Sequence, residues 1–337
     1  MNNEIKVSIP GKIVISGEYA VLDGAQAIVS TLNQKANITI QKSNENHNIY
    51  TTSLLEGVFP FTTDDDSNVV WLKADPGVFG LLLQNAFKTL NPILKEKVRI
   101  AVDSSKFYRT IKDGTAIKLG IGSSAAVSVG ITQALSQYQT LRSSPENLLT
   151  QANSIHQCLQ SKKGSGIDVT CCFANQGVIE CTKDSVKNYN WSILNWPNGL
   201  HLKALTTSQY GSTKRLVTNY QRASNLYPKE FKSALDQFLD ITQSLSNAWK
   251  SEDVGLIIDL LKVYDVQIKK IDKIGGIGIY TQVHADIQNI ASKHNVFYKP
   301  SGAGGGDIGI AFSSSLEALS DFSDAIGTVA WNIGCLD

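Results

Sequence analysis

The chain has 337 residues, 42% of them hydrophobic and 18% charged, with 31 Lys and Arg against 30 Asp and Glu. That length has room for two domains, and the apolar content supports packed cores and excludes wholesale disorder. A formal net charge of +1 offers no basic footprint for nucleic acid, so an anionic small molecule would be met by a few local lysines and arginines.

Cys158, Cys171, Cys172, Cys181 and Cys335 show no C-x-x-C spacing, and the five histidines are scattered. Both facts count against structural zinc and fit reduced thiols in a cytoplasmic protein. The N-terminus alternates polar and apolar residues, unlike a signal peptide. No apolar run reaches the ~18 residues of a membrane span.

In chain order, Ile5, Val7 and Ile9 predict a strand that Pro10-Gly11 is expected to break. Lys12 to Leu22 follows, with Lys12 and Glu18 as charges in apolar surroundings, and Asp23-Gly24 is a turn signal. Taken alone, each charge reads as a solvated edge residue. Ala36, Ile38 and Ile40 predict a strand, and residues 43–68 a polar loop or a hairpin of weak strands. A helix is expected over 78–90, then a strand at Val98, Ile100 and Val102. Arg109, Lys112 and Lys118 come next; they could face an anion or simply be exposed.

The stretch Gly120-Ile121-Gly122-Ser123-Ser124-Ala125-Ala126 organises the chain. Val127, Ile131, Ala134, Leu135 and Tyr138 follow at helical spacing, so a glycine loop runs into a helix N-terminus. Glycines allow close backbone approach, and the free N–H groups and dipole of a first turn favour an anion such as phosphate. Ser123 and Ser124 add hydroxyls that can cap the helix or reach a phosphate-bound cation. The bland alternative is an ordinary turn and cap. A Walker loop is excluded because no lysine follows Gly122. A dinucleotide loop wants an acid about 20 positions on, where this chain reads Gln139-Thr140-Leu141-Arg142.

Pro145 opens the next expected helix, capped by Ser143 or Ser144 and carrying His156 and Gln157. Gly164-Ser165-Gly166-Ile167-Asp168 reads as a second tight loop feeding a helix, with an N-cap as the plain role for Asp168. Residues 182–198 are polar, and the domain boundary is placed there. A strand at Leu202 to Leu205 leads to Ser212-Thr213-Lys214-Arg215, hydroxyls and bases at another helix start. Helices are expected over 228–249, 253–272 and 279–294. In the second of these, Val254, Ile257, Leu261, Tyr264, Ile268 and Ile271 form a core stripe. Ser301-Gly302-Ala303-Gly304-Gly305-Gly306-Asp307 then enters a strand at Ile308, Ile310 and Phe312. So many glycines point to close backbone approach by a ligand or another loop. Asp307 could bind a cation, orient a base or close the loop on itself.

Together these pieces resemble the GHMP kinases, the family named for galactokinase, homoserine kinase, mevalonate kinase and phosphomevalonate kinase. Pro10-Gly11-Lys12 through Gly17-Glu18 is similar to its first motif, Gly120 to Ala126 to its phosphate loop, and Ser301 to Gly306 to its third. The resemblance spans residues 5–312. Within the family it is strongest to the phosphomevalonate kinase branch, through Tyr19, the segment His156 to Val169, and Asp307. Mevalonate kinases usually carry a magnesium-binding glutamate eleven residues before the central aspartate; here that position is Gln157. Ser161 and Gly211 depart from the branch pattern.

The implied fold is α+β. An N-terminal ribosomal-protein-like α/β half with a left-handed crossover is expected over 1–185, and a ferredoxin-like half over 186–337. The resemblance implies ATP with its phosphates along Gly120, Gly122, Ser123, Ser124 and Ala125. It implies Mg²⁺ held by Ser124, with Glu18 as a further candidate, and Lys12 and Asp168 as catalytic residues. The acceptor would be a small molecule, phosphomevalonate. Its candidate contacts are Ser165, Gly166, Ser212, Thr213 and Lys214, then Lys162 and Arg109. The third motif adds Ser301, Gly302, Ala303, Gly304 and Asp307. Neither nucleic acid nor membrane is expected as a partner, and the chain would act as a monomer or homodimer. The alternatives are mevalonate kinase, a related ATP-dependent decarboxylase, or a non-catalytic ligand-binding homologue.

Overall fold

Period-two apolar residues in the first third of the chain form strands, and 3.6-period stripes further on form helices, as the computed structural model shows. It describes residues 4–110, 114, 116–140, 143–159, 164–183, 189–207, 209, 211–327 and 329–336. The strands are β1 (Ile5–Ser16), β2 (Ala27–Lys42), β3 (Asn48–Thr52), β4 (Leu55–Thr63), β5 (Val69–Trp71), β6 (Val98–Asp103), β7 (Tyr108–Thr110), β8 (Ala116–Lys118), β9 (Val178–Lys183), β10 (Tyr189–Leu194), β11 (His201–Thr206), β12 (Phe297–Pro300), β13 (Ile308–Ser313) and β14 (Trp331–Leu336). The helices are α1 (Leu81–Leu90), α2 (Ser123–Tyr138), α3 (Pro145–Gln157), α4 (Ile167–Ala174), α5 (Thr213–Leu226), α6 (Pro228–Lys250), α7 (Val254–Gly275), α8 (Gln282–Lys293) and α9 (Leu316–Ile326).

The chain divides into two compact units that interleave along the sequence. The first takes residues 1–12, 32–116 and 122–175, and the second 13–31, 117–121 and 176–337. The boundary expected at 185/186 falls outside the described residues, and both units are discontinuous in sequence.

In the first unit, β2 pairs antiparallel with β6, β6 parallel with β3, and β3 and β4 form the hairpin that was one reading of 43–68. Ile38, Ile40, Val98 and Ile100 are fully buried on this sheet, as are Leu83 and Phe87 of α1. A Cβ on Gly130 would collide with Ile38 and press on Ile9. The glycine therefore lets α2 lie close on the strands, which fixes where its N-terminus points. Ser144 caps α3 by accepting from the Asn147 N–H at 3.3 Å.

One expectation is corrected here. Pro10-Gly11 does not end the first strand; β1 runs through it to Ser16. β1 pairs with β2 and lies off the main strand path, the kind of position in which a strand tolerates proline.

In the second unit, β12, β13, β11 and β14 form a sheet in that order. Numbered in chain order from β11, it reads 4-1-3-2 from β14, the order of a ferredoxin-like half, and its printed pairings are antiparallel. The α7 stripe is core as expected: Ile257, Leu261, Tyr264, Ile268 and Ile271 are buried.

His284 of α8 is fully enclosed, its Nδ1 2.9 Å from the Tyr298 hydroxyl. Burial, with a smaller push from Lys299, lowers its pKa from 6.5 to about 4. The unfolded chain therefore binds this proton first. Stability is undiminished above pH 6.5 and declines as pH falls toward 4, by about 3 kcal/mol for this group. Urea midpoints compared between pH 7 and pH 4.5 should show that loss. His284→Gln should flatten the pH profile over the window.

Candidate active site

Within the first unit, the second motif and the central loop converge. Gly122, at φ 84°, is the N-cap of α2, and no side chain caps the first turn of that helix. Ser144, Ser212, Asp253 and Ser315 cap α3, α5, α7 and α9, while α1, α4, α6 and α8, like α2, have an N-cap residue that makes no side-chain cap bond. The α2 N-terminus, with Ser123, Ser124 and Ala125 in its first turn, thus has the donor set and dipole that suit a phosphate. A Cβ on Gly122 would lie 3.0 Å from Cγ and Cε of Lys12. The missing side chain is what lets the Lys12 stem cross the loop.

Asp168 lies at the other side of this cluster. Gly166, at φ 80°, is the N-cap of α4, so Asp168 is the second helical residue and not the cap. Its carboxylate accepts from the Val169 N–H at 3.1 Å. Burial would raise the Asp168 carboxyl, but the His156 ring and then the Lys12 ammonium outweigh it and hold the group below the usual carboxylate range. His156 links the two loops. Its Nε2 is 3.0 Å from Ser124 Oγ and 3.8 Å from Asp168 Oδ2, and its side chain is 2% exposed. The site-residue reading of the sequence left His156 out, although it is a polar residue on an otherwise buried face of α3. Ser165 and Gly166 line the entry to α4. Arg109 is exposed on β7, and Lys162 lies outside the described residues.

In the second unit the first and third motifs meet. Glu18 is 3% exposed. Its Oε1 takes the Lys299 ammonium at 2.6 Å and the Gly302 N–H at 3.3 Å, and its Oε2 takes the Tyr264 hydroxyl at 2.5 Å. Both oxygens are engaged by protein groups, so this carboxylate has a role in holding the fold. Ser301 Oγ accepts from the Val14 N–H at 3.0 Å and donates to the Val14 carbonyl at 2.8 Å. Tyr19 donates its hydroxyl to the Ala303 carbonyl.

Gly302, Gly304, Gly305 and Gly306 all have positive φ, which only glycine adopts readily. Asp307 accepts from the Gly211 N–H at 2.8 Å, so it closes the loop onto the segment before α5. A Cβ on Gly211 would collide with the Gly304 carbonyl, which is why this chain has no alanine there. Gly120, at φ 74°, lies against Asp307, whose Cβ a side chain would meet at 3.2 Å. Ser212 caps α5, accepting from the Arg215 N–H at 3.4 Å, while Thr213 and Lys214 are exposed in its first turn.

Residues 82–176 match the GHMP kinases N terminal domain. The chain is 25% identical to a phosphomevalonate kinase of Streptomyces sp. (strain CL190), over 93% of this chain and 91% of that protein. It is 24% identical to a mevalonate kinase of Thermococcus sibiricus, over 96% and 92%. Its fold matches Streptococcus pneumoniae phosphomevalonate kinase, solved with phosphomevalonate and AMPPNP, with a TM-score of 0.79 at 18% identity over 98% and 99% of the two chains. No helix among the described residues is long and apolar enough to cross a membrane.

Proposed function

We propose that this chain, a kinase of the GHMP fold, phosphorylates 5-phosphomevalonate with ATP, yielding 5-diphosphomevalonate and ADP. The observation that carries the reading is the first-unit cluster, in which Lys12 and an ionised Asp168 stand beside a helix N-terminus that no side chain caps. An acceptor phosphate oxygen forms the new bond to the γ-phosphorus as the bond to the bridging oxygen of ADP breaks. The N–H groups of Ser123, Ser124 and Ala125 would hold the ATP phosphates. The Ser124 hydroxyl, with Ser123 beside it, would hold Mg²⁺, which asks few protein ligands because phosphates and water supply most of its shell. When bound, that ion neutralises charge on the β- and γ-phosphates.

Lys12 screens the repulsion between the acceptor and the γ-phosphate. Asp168 orients Lys12 and the acceptor, and His156 holds Asp168 and Ser124 in register. A phosphomonoester has a second pKa of about 6, so its oxygen is already largely deprotonated at pH 7 and a strong base is not required. Ser165, Gly166, Ser212, Thr213, Lys214, Lys162 and Arg109, with Ser301, Gly302, Ala303, Gly304 and Asp307 of the third motif, are the candidates for the acceptor.

The similarity to a mevalonate kinase at 24% identity supports mevalonate as the second reading, against which Gln157 stands at the position of that enzyme's usual glutamate. ADP release with Mg-ATP, offered 5-phosphomevalonate and mevalonate in parallel with product masses checked, separates the two. Turnover with phosphomevalonate alone, adding one phosphate, is the expected result. Turnover with mevalonate alone would overturn it, and release of CO₂ would point to a decarboxylase.

A further inference from the structure

We infer that Lys299 is a positioning residue whose buried pair with Glu18 aims the backbone of the glycine loop 301–306 at a ligand; that this ligand is the kinase's acceptor rests on the reading above. Lys299 is fully buried. Besides Glu18, its ammonium donates to the Pro300 carbonyl at 2.8 Å and lies 5.4 Å from the centre of the Tyr264 ring. Tyr264 completes the frame, since its hydroxyl accepts the Gly17 N–H at 2.8 Å while donating to Glu18.

Three consecutive residues of the loop are therefore tied to the first motif. Ser301 is tied to Val14, Gly302 to Glu18 and Ala303 to Tyr19. Tyr19 itself is held at φ 62° and ψ −51°, a conformation that persists only where the surroundings over-determine it. Its ring stacks on Tyr220 at 5.0 Å, and Tyr220 donates to Asp23 at 2.7 Å.

The charge arrangement says what the loop can offer. Lys299 adjoins the loop, yet its charge is enclosed and neutralised by Glu18, so it cannot act as a phosphate ligand. The Gly302 N–H is taken by Glu18 and the Gly305 N–H by the Ile279 carbonyl, so what the loop can offer is the N–H groups of Ala303, Gly304 and Gly306, on a stretch whose glycines hold no conformation of their own. Their direction comes from the ties. An apolar pair could fill the same volume without desolvating two charges, but it could not accept the Gly302 N–H.

The test separates aim from stability. Lys299→Met is compared with the double variant Glu18→Met/Lys299→Met, which removes both charges and the acceptor of the Gly302 N–H at similar volume, and with Tyr19→Phe, which removes one tie and no charge. The double variant should regain most of the urea midpoint lost by the single one. Its amide hydrogen exchange in the peptide 300–308 should nonetheless run at least about 10-fold faster than wild type. Its KM for the acceptor turned over by the wild type should rise about 10-fold, with kcat changed less. Tyr19→Phe should shift exchange in the same direction by a smaller factor. Wild-type exchange in that peptide in the double variant would overturn the inference, as would wild-type exchange in Tyr19→Phe should the double variant not fold. The exchange readout needs no substrate, so it stands whether or not phosphomevalonate is turned over.

Discussion

Lys12→Met should lower kcat about 10³-fold, the scale seen when a preorganised positive donor is taken from a developing phosphoryl charge, while Asp168→Asn should lose less than about 10²-fold. The difference follows from the electrostatics of the first unit. Burial would raise the Asp168 carboxyl, but His156 and Lys12 hold it low instead, and a weakly basic carboxylate is a poor proton acceptor. On the proposed reading the acceptor is a phosphate and brings its own ionised oxygen. The rate should therefore rise through the acceptor's second ionisation near about pH 6, with no limb due to Asp168 above it. Steady-state ADP release for both variants across pH 5 to 8 checks this. Equal losses of several orders of magnitude would instead mark Asp168 as an obligatory base.

Unfolding of Lys299→Met by urea should show a loss of about 3–5 kcal/mol, the usual consequence of leaving one member of a buried ion pair without its partner. Glu18 would remain 3% exposed with only the Tyr264 hydroxyl and the Gly302 N–H to stabilise its charge. Neither can replace an ammonium at 2.6 Å. A loss below about 1 kcal/mol, the range of surface pairs, would mean that water reaches this site in solution.

The sequence made some of this legible and hid the rest for physical reasons. The helices were readable because their stripes report one burial face: Ile257, Leu261, Tyr264, Ile268 and Ile271 repeat at 3.6 residues and are buried. The turn into α2 was readable because paired glycines precede apolar residues at helical spacing. The continuity of β1 was not, since Pro10 reads locally as a break and only the pairing with β2, set by tertiary structure, carries the strand past it. Glu18 reads alone as a solvated edge residue, because its partner Lys299 lies 281 positions away. In one sequence Lys299 is indistinguishable from a solvated lysine, and nothing local says that it is buried. His156 suffers the same limit, since its contacts to Ser124 and Asp168 are properties of tertiary packing.

The ties between the first and third motifs also set a timetable. Val14 and Ser301 are separated by 287 residues. At about 5–20 residues per second, a ribosome needs roughly 15 to 60 seconds to deliver the second after the first. Throughout that interval Glu18 and Tyr19 have emerged without the groups that hold them. Strand β1 can pair with β2 early, but Glu18 and Tyr19 must wait for partners made near the end of synthesis.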